Sequence, residues 1–130
     1  MRWAFDPRQG LIVVRAEVFG PAGSAVVSLA LDTGATGTMV NHSRLMQLGY
    51  DPSAVPERVQ IATGSGIEFA PRLVVSRFAS LGRVRTAFPV LCHTLPPATG
   101  VDGLLGLDFL RGHQLLIDFR AGSIALDDGP

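Results

Sequence analysis

The chain has 130 residues, of which 47% are hydrophobic and 17% charged, values typical of one folded domain over residues 1–130. Its eleven acidic residues balance eleven arginines that are scattered along the chain, which argues against a nucleic-acid partner. No apolar run approaches the ~20 residues of a membrane span, and the first residues lack the apolar core of a secretion signal. We therefore expect no membrane association and a cytoplasmic location.

The first apolar block predicts a β-hairpin. One strand covers residues 11–19, the Gly-Pro-Ala-Gly sequence at 20–23 makes the turn, and a second strand returns over residues 25–31. The second strand ends in the sequence Asp-Thr-Gly-Ala at residues 32–35. An apolar strand therefore delivers the carboxylate of Asp32 into a glycine-containing turn.

A short strand over residues 38–40 and a short helix are predicted next. Asn41 is a good helix N-cap, and Gly49 ends the helix that Asn41 begins. Leu45 and Leu48 then share the buried side of this helix.

A second hairpin is predicted around a glycine-rich tip. Residues 59–63 and 67–69 form its strands, and Gly64, Ser65 and Gly66 form the tip. Two glycines among three small residues favour a mobile tip.

The rest of the chain predicts further strands. Residues 73–75 and 84–91 form two of them, and the second should end or lie near a sheet edge at Pro89, because proline has no N–H for the ladder. A buried strand then passes through Gly106 into one helical turn, and a hairpin over residues 114–126 closes the chain. The fold class is therefore predicted to be all-β, with one or two short helices.

Several other polar groups are interpreted as structural. The histidines lack the short ligand spacing of a metal site, and we expect neither a metal nor a cofactor. Cys92 lies in an apolar run and is interpreted as a buried thiol. Asp102 is a candidate cap for the turn before Gly103, and Asp108 a candidate helix cap or partner of Arg111.

Three motifs occur in order along the chain. They are Asp-Thr-Gly-Ala at residues 32–35, the glycine-tipped hairpin at 64–66, and Gly-Leu-Leu-Gly at 103–106 followed by a short helix. In this order, and over residues 11–126, the chain resembles the retropepsin-like aspartic protease family. The resemblance implies a retropepsin-like acid protease barrel that forms half of a two-fold symmetric dimer.

The resemblance implies catalytic roles for Asp32, Thr33 and Gly34. Because only one Asp-Thr-Gly occurs, Asp32 would meet its symmetry mate in a homodimer, and two carboxylates about 3 Å apart share one proton and activate a water. Thr33 would bond across the two-fold axis, and Gly34 would admit the substrate backbone. The implied activity is that of an aspartic endopeptidase acting on extended polypeptides.

The resemblance also implies a set of substrate-binding residues. Leu104 and Leu105, by contrast, are interpreted as structural support beneath the active turn. Thr36 stands where many retroviral members have Asp, and the flap lacks their Ile-Gly-Gly pattern, so the likeness is weaker at these positions. The implied substrate-binding residues are Gly34, Ala35, Thr36, Gly64, Ser65 and Gly66.

Two alternatives to a protease remain open. A catalytically inactive retropepsin-like module could dimerise or bind peptides while Asp32 merely completes a turn. An unrelated small β-barrel could bind peptides or ligands as a monomer without paired aspartates.

Overall fold

The computed structural model describes residues 1–127. Within this range the chain forms ten β-strands, two short α-helices and two turns of 3-10 helix, which confirms the mostly-β prediction. None of the described helices is long and apolar enough to cross a membrane. The helices are α1 (His42–Gln47) and α2 (Leu107–Leu110), and the strands are β1 (Trp3–Ala4), β2 (Val13–Gly20), β3 (Gly23–Leu31), β4 (Met39–Val40), β5 (Arg58–Thr63), β6 (Gly66–Ser80), β7 (Arg83–Cys92), β8 (Gly103–Leu105), β9 (Gln114–Asp118) and β10 (Ser123–Asp127).

Six strands close into a barrel. Their spatial order is β2, β3, β8, β4, β7 and β6, and β6 pairs back onto β2 to complete the ring. β5 pairs only with the first part of β6, so the β5–β6 hairpin extends beyond the barrel. A separate sheet in the order β1-β10-β9 packs against the barrel through Ile124 and Leu126 of β10.

Alternate residues of the barrel strands fill the core. On β2, Val14, Ala16 and Val18 are buried, as the two-residue period of a strand with one face on the core requires. Aromatic rings complete the packing between β6, β7 and α2, with centroid separations of 4.9 to 5.9 Å. These rings belong to Phe78, Phe88 and Phe109.

Helix α1 forms as the sequence predicts. The Asn41 side chain accepts a hydrogen bond from the Arg44 N–H at 2.9 Å, which satisfies one of the free donors of the first turn. Gly49 follows the helix with φ of +91°, a conformation that favours glycine. Leu45 and Leu48 are both buried in the core, so the predicted buried side is confirmed.

The strands around Pro71 and Pro89 run further than predicted. The separate strands expected at 67–69 and 73–75 are parts of the single strand β6, because Pro71 lies where β6 exchanges its partner β5 for β7. β7 continues through Pro89 instead of ending there. Since β4 pairs with β7 only beyond this point, Pro89 lies beside an open edge.

Candidate active site

Asp32 lies directly after β3, at the edge of the barrel where β3 and β8 both end. These strands are parallel, with Leu31 opposite Leu105, so their carboxyl ends reach the same edge. The Asp32 N–H donates to the Leu105 oxygen at 3.0 Å. The first and third motifs, which are far apart in sequence, therefore meet at this point.

The Asp32 carboxylate is half-buried and holds its own turn. Its Oδ1 accepts from the Gly34 N–H at 2.8 Å, and the Ala35 N–H donates to the Asp32 backbone oxygen at 3.2 Å. These bonds are those of an Asx turn. In the described part of the chain Oδ2 accepts no hydrogen bond, so one carboxylate oxygen can meet water or another carboxyl group.

A buried threonine and an aspartate fix the loop that follows the turn. Thr38 is 0% exposed; its N–H donates to Asp108 Oδ2 at 3.0 Å and its hydroxyl to Asp108 Oδ1 at 2.7 Å. The Thr38 Oγ1 in turn accepts from the Gly106 N–H at 3.1 Å. We call this arrangement the Thr38–Asp108 clamp. The clamp engages both oxygens of Asp108, and no ion pair joins Asp108 to Arg111 within residues 1–127, so of the two predicted roles the pairing with Arg111 is not found.

The first turn of α2 adds two more bonds to the same loop. The Leu107 N–H donates to the Ala35 oxygen at 2.8 Å, and the Asp108 N–H donates to the Thr36 oxygen at 3.2 Å. The first N–H groups of a helix have no partner inside the helix, so they are available for such bonds. The loop from Ala35 to Thr38 is thus held by the main chain of α2 as well as by the clamp.

Gly106 has no room for a side chain. A Cβ at this position would lie 2.8 Å from the carbonyl carbon and oxygen of Gly37 and 2.9 Å from the Ala35 oxygen. The close approach of the two backbones therefore requires glycine. This agrees with the structural role expected for the third motif, in which Leu105 is fully buried.

A cleft of about 710 Å³ opens beside Asp32. Residues after β3 line one side of it, and residues of β5 and β7 line the others. Arg72 also lines the cleft, and its guanidinium lies 3.1 Å from the Glu57 carboxylate at the base of the β5–β6 hairpin. The cleft walls are otherwise largely apolar, with side chains that include Met39, Val59, Ile61, Phe88, Val90 and Leu91.

The β5–β6 strands form the predicted glycine-tipped hairpin. Thr63 pairs with Gly66 across a turn of two residues, and Gly66 has φ of +128°. The Thr63 hydroxyl donates to the Gly66 oxygen at 3.1 Å and lies 3.2 Å from the Ser65 hydroxyl. The tip is therefore held by its own hydrogen bonds and by a glycine in a conformation that other residues rarely adopt.

The predicted site residues fall into three groups. Asp32, Gly34, Ala35 and Thr36 line the cleft together. Gly64 and Ser65 line an adjoining groove of about 690 Å³ that shares four lining residues with the cleft. Thr33 and Gly66 line neither and are exposed.

Asp102 and Cys92 have structural surroundings. The Asp102 carboxylate accepts from the Ser28 N–H at 2.9 Å and from the Asn41 side chain at 3.3 Å, and it lies 3.4 Å from Arg44 Nε. It joins β3 to α1 rather than only capping a local turn.

Burial raises the pKa of the Cys92 thiol, and the positive charge of Arg58 partly offsets this rise.

No metal site is evident in the described range. Within residues 1–127, no three side chains of His, Cys, Asp or Glu come together as metal ligands would. The buried side-chain nitrogen and oxygen atoms of this range all have hydrogen-bond partners.

The fold and the site define an acid protease barrel with one Asp-Thr-Gly turn. Residues 14–109 match the family model described as aspartyl protease, and the chain belongs to this family. The crystal structure of a retropepsin-like aspartic protease from Rickettsia conorii superposes with a TM-score of 0.71 at 19% identity, covering 98% of this chain and 89% of that one. No curated protein sequence matches the chain. The predicted retropepsin-like fold is confirmed.

Proposed function

We propose that this chain is one subunit of a homodimeric aspartic endopeptidase. The observation that carries the proposal is the Asp32 carboxylate, which lies in the cleft with one oxygen free of intrachain hydrogen bonds in the described range. The aspartyl protease family supports the reaction class. The catalytic roles of Asp32, Thr33 and Gly34 are parts of this proposal.

The second carboxylate would come from another copy of the chain. The sequence has a single Asp-Thr-Gly, and a two-fold axis beside it would place two Asp32 side chains together. Thr33 and Gly34 are exposed next to Asp32, as a contact with a partner requires. The Thr33 hydroxyl has no hydrogen bond within residues 1–127, which suits a bond across the axis.

The paired carboxylates would act as a general acid and base. Two carboxyl groups about 3 Å apart cannot both ionise, so the pair holds one proton, as in known aspartic proteases. The ionised oxygen removes a proton from a bound water, and the water oxygen attacks the peptide carbonyl carbon. The protonated oxygen donates to the developing oxyanion, and the amine then leaves with a proton, without a covalent acyl-enzyme.

The substrate would be an extended polypeptide. The cleft lies between the Asp32 turn and the flap, so a substrate strand could lie between them with its side chains in apolar pockets. A Cβ at Gly34 would point toward the Asp32 carboxylate, with Oδ1 at 3.2 Å, so glycine leaves this approach open. Closure of the flap would exclude water. The proposed substrate-binding residues remain Gly34, Ala35, Thr36, Gly64, Ser65 and Gly66.

Cleavage of a peptide library tests the reaction. Wild type and Asp32→Asn are incubated with the library at several pH values, and products are identified by mass spectrometry. We expect cleavage by wild type and a loss of at least about a hundredfold in Asp32→Asn, since general acid-base catalysis contributes about this much. Asp6→Asn, in an exposed turn, is the matched control and should cleave normally. Equal cleavage by Asp32→Asn and wild type would instead support the binding-module alternative.

Subunit mixing tests whether two chains share one site. Wild type and Asp32→Asn are mixed at equal amounts after reversible dissociation, at constant total protein. If each site needs two intact Asp32 side chains, random pairing leaves about one quarter of the activity, whereas a site within one chain leaves about one half. Sedimentation of the same samples gives the proportion of dimer. A linear dependence on the wild-type fraction would refute the shared site.

A further inference from the structure

The second strand of the flap exposes two large apolar side chains and carries a carboxylate between them. Ile67 and Phe69 are 65% and 66% exposed, although both are large apolar residues. Glu68 lies between them and must point to the opposite face, because successive residues of a strand alternate. In the flap register Glu68 pairs with Ile61, which is buried and lines the cleft. The carboxylate thus shares the inner face of the flap with apolar residues.

Glu68 lines the groove that adjoins the cleft. The segment 93–97, Met39 and Leu104 also line this groove. Among residues 1–127, Glu68 is the one carboxylate that lines the groove, and His93 is its one other titratable residue. Within residues 1–127 no hydrogen bond or ion pair engages the Glu68 side chain. Its charge therefore has no partner on this face of the described chain.

A carboxylate in this position favours a cation as its partner. An ionised carboxylate can only accept hydrogen bonds. A neutral group with no donor would displace the water molecules that donate to it and would supply no hydrogen bond in their place. A Lys or Arg side chain fits better because its aliphatic stem can lie on apolar surface while its charged end reaches a carboxylate. Met39 and Leu104 supply such a surface between the cleft and the groove.

We propose that Glu68 is a specificity-determining residue that selects polypeptides with a basic side chain in this groove. The inference rests on the proposed protease function and adds a substrate class to it. In a two-fold dimer each subunit supplies one Glu68, in the groove that adjoins the cleft. The preference for Lys or Arg is therefore expected at matching positions on both sides of the cleaved bond.

Cleavage profiles of two peptide series provide the test. The library first gives the position at which basic residues are enriched, and matched peptides then carry Lys, Met or Glu at that position. For an exposed ion pair we expect kcat/KM to be about fivefold higher for Lys than for Met with the wild type. Glu68→Gln should remove this ratio, and Glu68→Lys should reverse the preference toward Glu-containing peptides.

Glu17→Gln is the matched control for the change of charge. Glu17 lies on β2 and accepts a hydrogen bond from Ser24 at 3.1 Å, and it lines neither the cleft nor the groove. This variant should keep the preference for Lys.

The outcomes separate this inference from the proposed function. Cleavage that depends on Asp32 but shows no basic preference overturns the role of Glu68 and leaves the protease intact. A basic preference that survives in Glu68→Gln also overturns it. Absence of any cleavage by the wild type contradicts the protease itself, and the specificity proposal then falls with it.

Discussion

Replacing Thr38 by Val should destabilise the protein strongly, because Val has nearly the same shape but lacks the hydroxyl. In the wild type this hydroxyl donates to Asp108 Oδ1 at 2.7 Å and accepts from the Gly106 N–H at 3.1 Å. The substitution leaves one carboxylate oxygen and one buried N–H without these partners. The remaining bond from the Thr38 N–H to Asp108 is retained.

The expected cost follows from these two lost bonds. A polar group left unsatisfied in the interior costs about 1–3 kcal/mol, and bonds to charged groups lie at the upper end. Asp108 is exposed, so water can replace the partner that its carboxylate loses, and most of the cost comes from the buried Gly106 N–H. We expect the free energy of unfolding to fall by about 1–3 kcal/mol, a substantial part of the ~5–15 kcal/mol that is usual for a domain.

Urea unfolding followed by circular dichroism measures this difference. Wild type and variant are compared at equal protein concentration, because subunit association would itself contribute to stability. Thr36→Val is the control: Thr36 belongs to the same loop but is exposed, and only its backbone oxygen is bonded. It should change the free energy by less than about 0.5 kcal/mol. If Thr38→Val costs no more than Thr36→Val, the Thr38–Asp108 clamp does not stabilise the loop.

Two further predictions concern packing and the buried thiol. Gly106→Ala should abolish folding or cost more than about 3 kcal/mol, because its Cβ would lie 2.8 Å from the Gly37 backbone. Gly64→Ala, whose Cβ meets no atom within 4 Å, should be tolerated in the same thermal-melt assay, and equal melting of the two variants would contradict the reasoning. Burial raises the Cys92 pKa above its ordinary value of 9.0, so the thiol should react slowly with a disulfide reagent at pH 8 until the protein is unfolded. The folded state holds the Cys92 proton more tightly than the unfolded state does. The thiol's contribution to the free energy of unfolding is therefore present below about pH 9 and is lost as the pH rises further. Cys92→Ala should not show this loss. Rapid labelling of the native thiol would refute this account.

Local patterns predicted most of the fold. Alternating apolar residues and glycine turns gave the hairpins, and Asn41 and Gly49 marked the ends of α1. These features depend on neighbours in the sequence, which is why a pattern can reveal them. β1 was missed because two residues are too short to carry a pattern and form a strand only by pairing with β10.

The sequence by itself determined the order of the three motifs and placed one aspartate at the end of an apolar strand. It did not determine what holds the loop that follows that aspartate. The clamp joins Thr38 to a carboxylate 70 positions away, and that contact depends on the parallel pairing of β3 with β8. The inward direction of Glu68 likewise depends on the register of the flap. Such contacts arise only when distant strands pair, since no local pattern encodes which residues will face each other across a closed barrel.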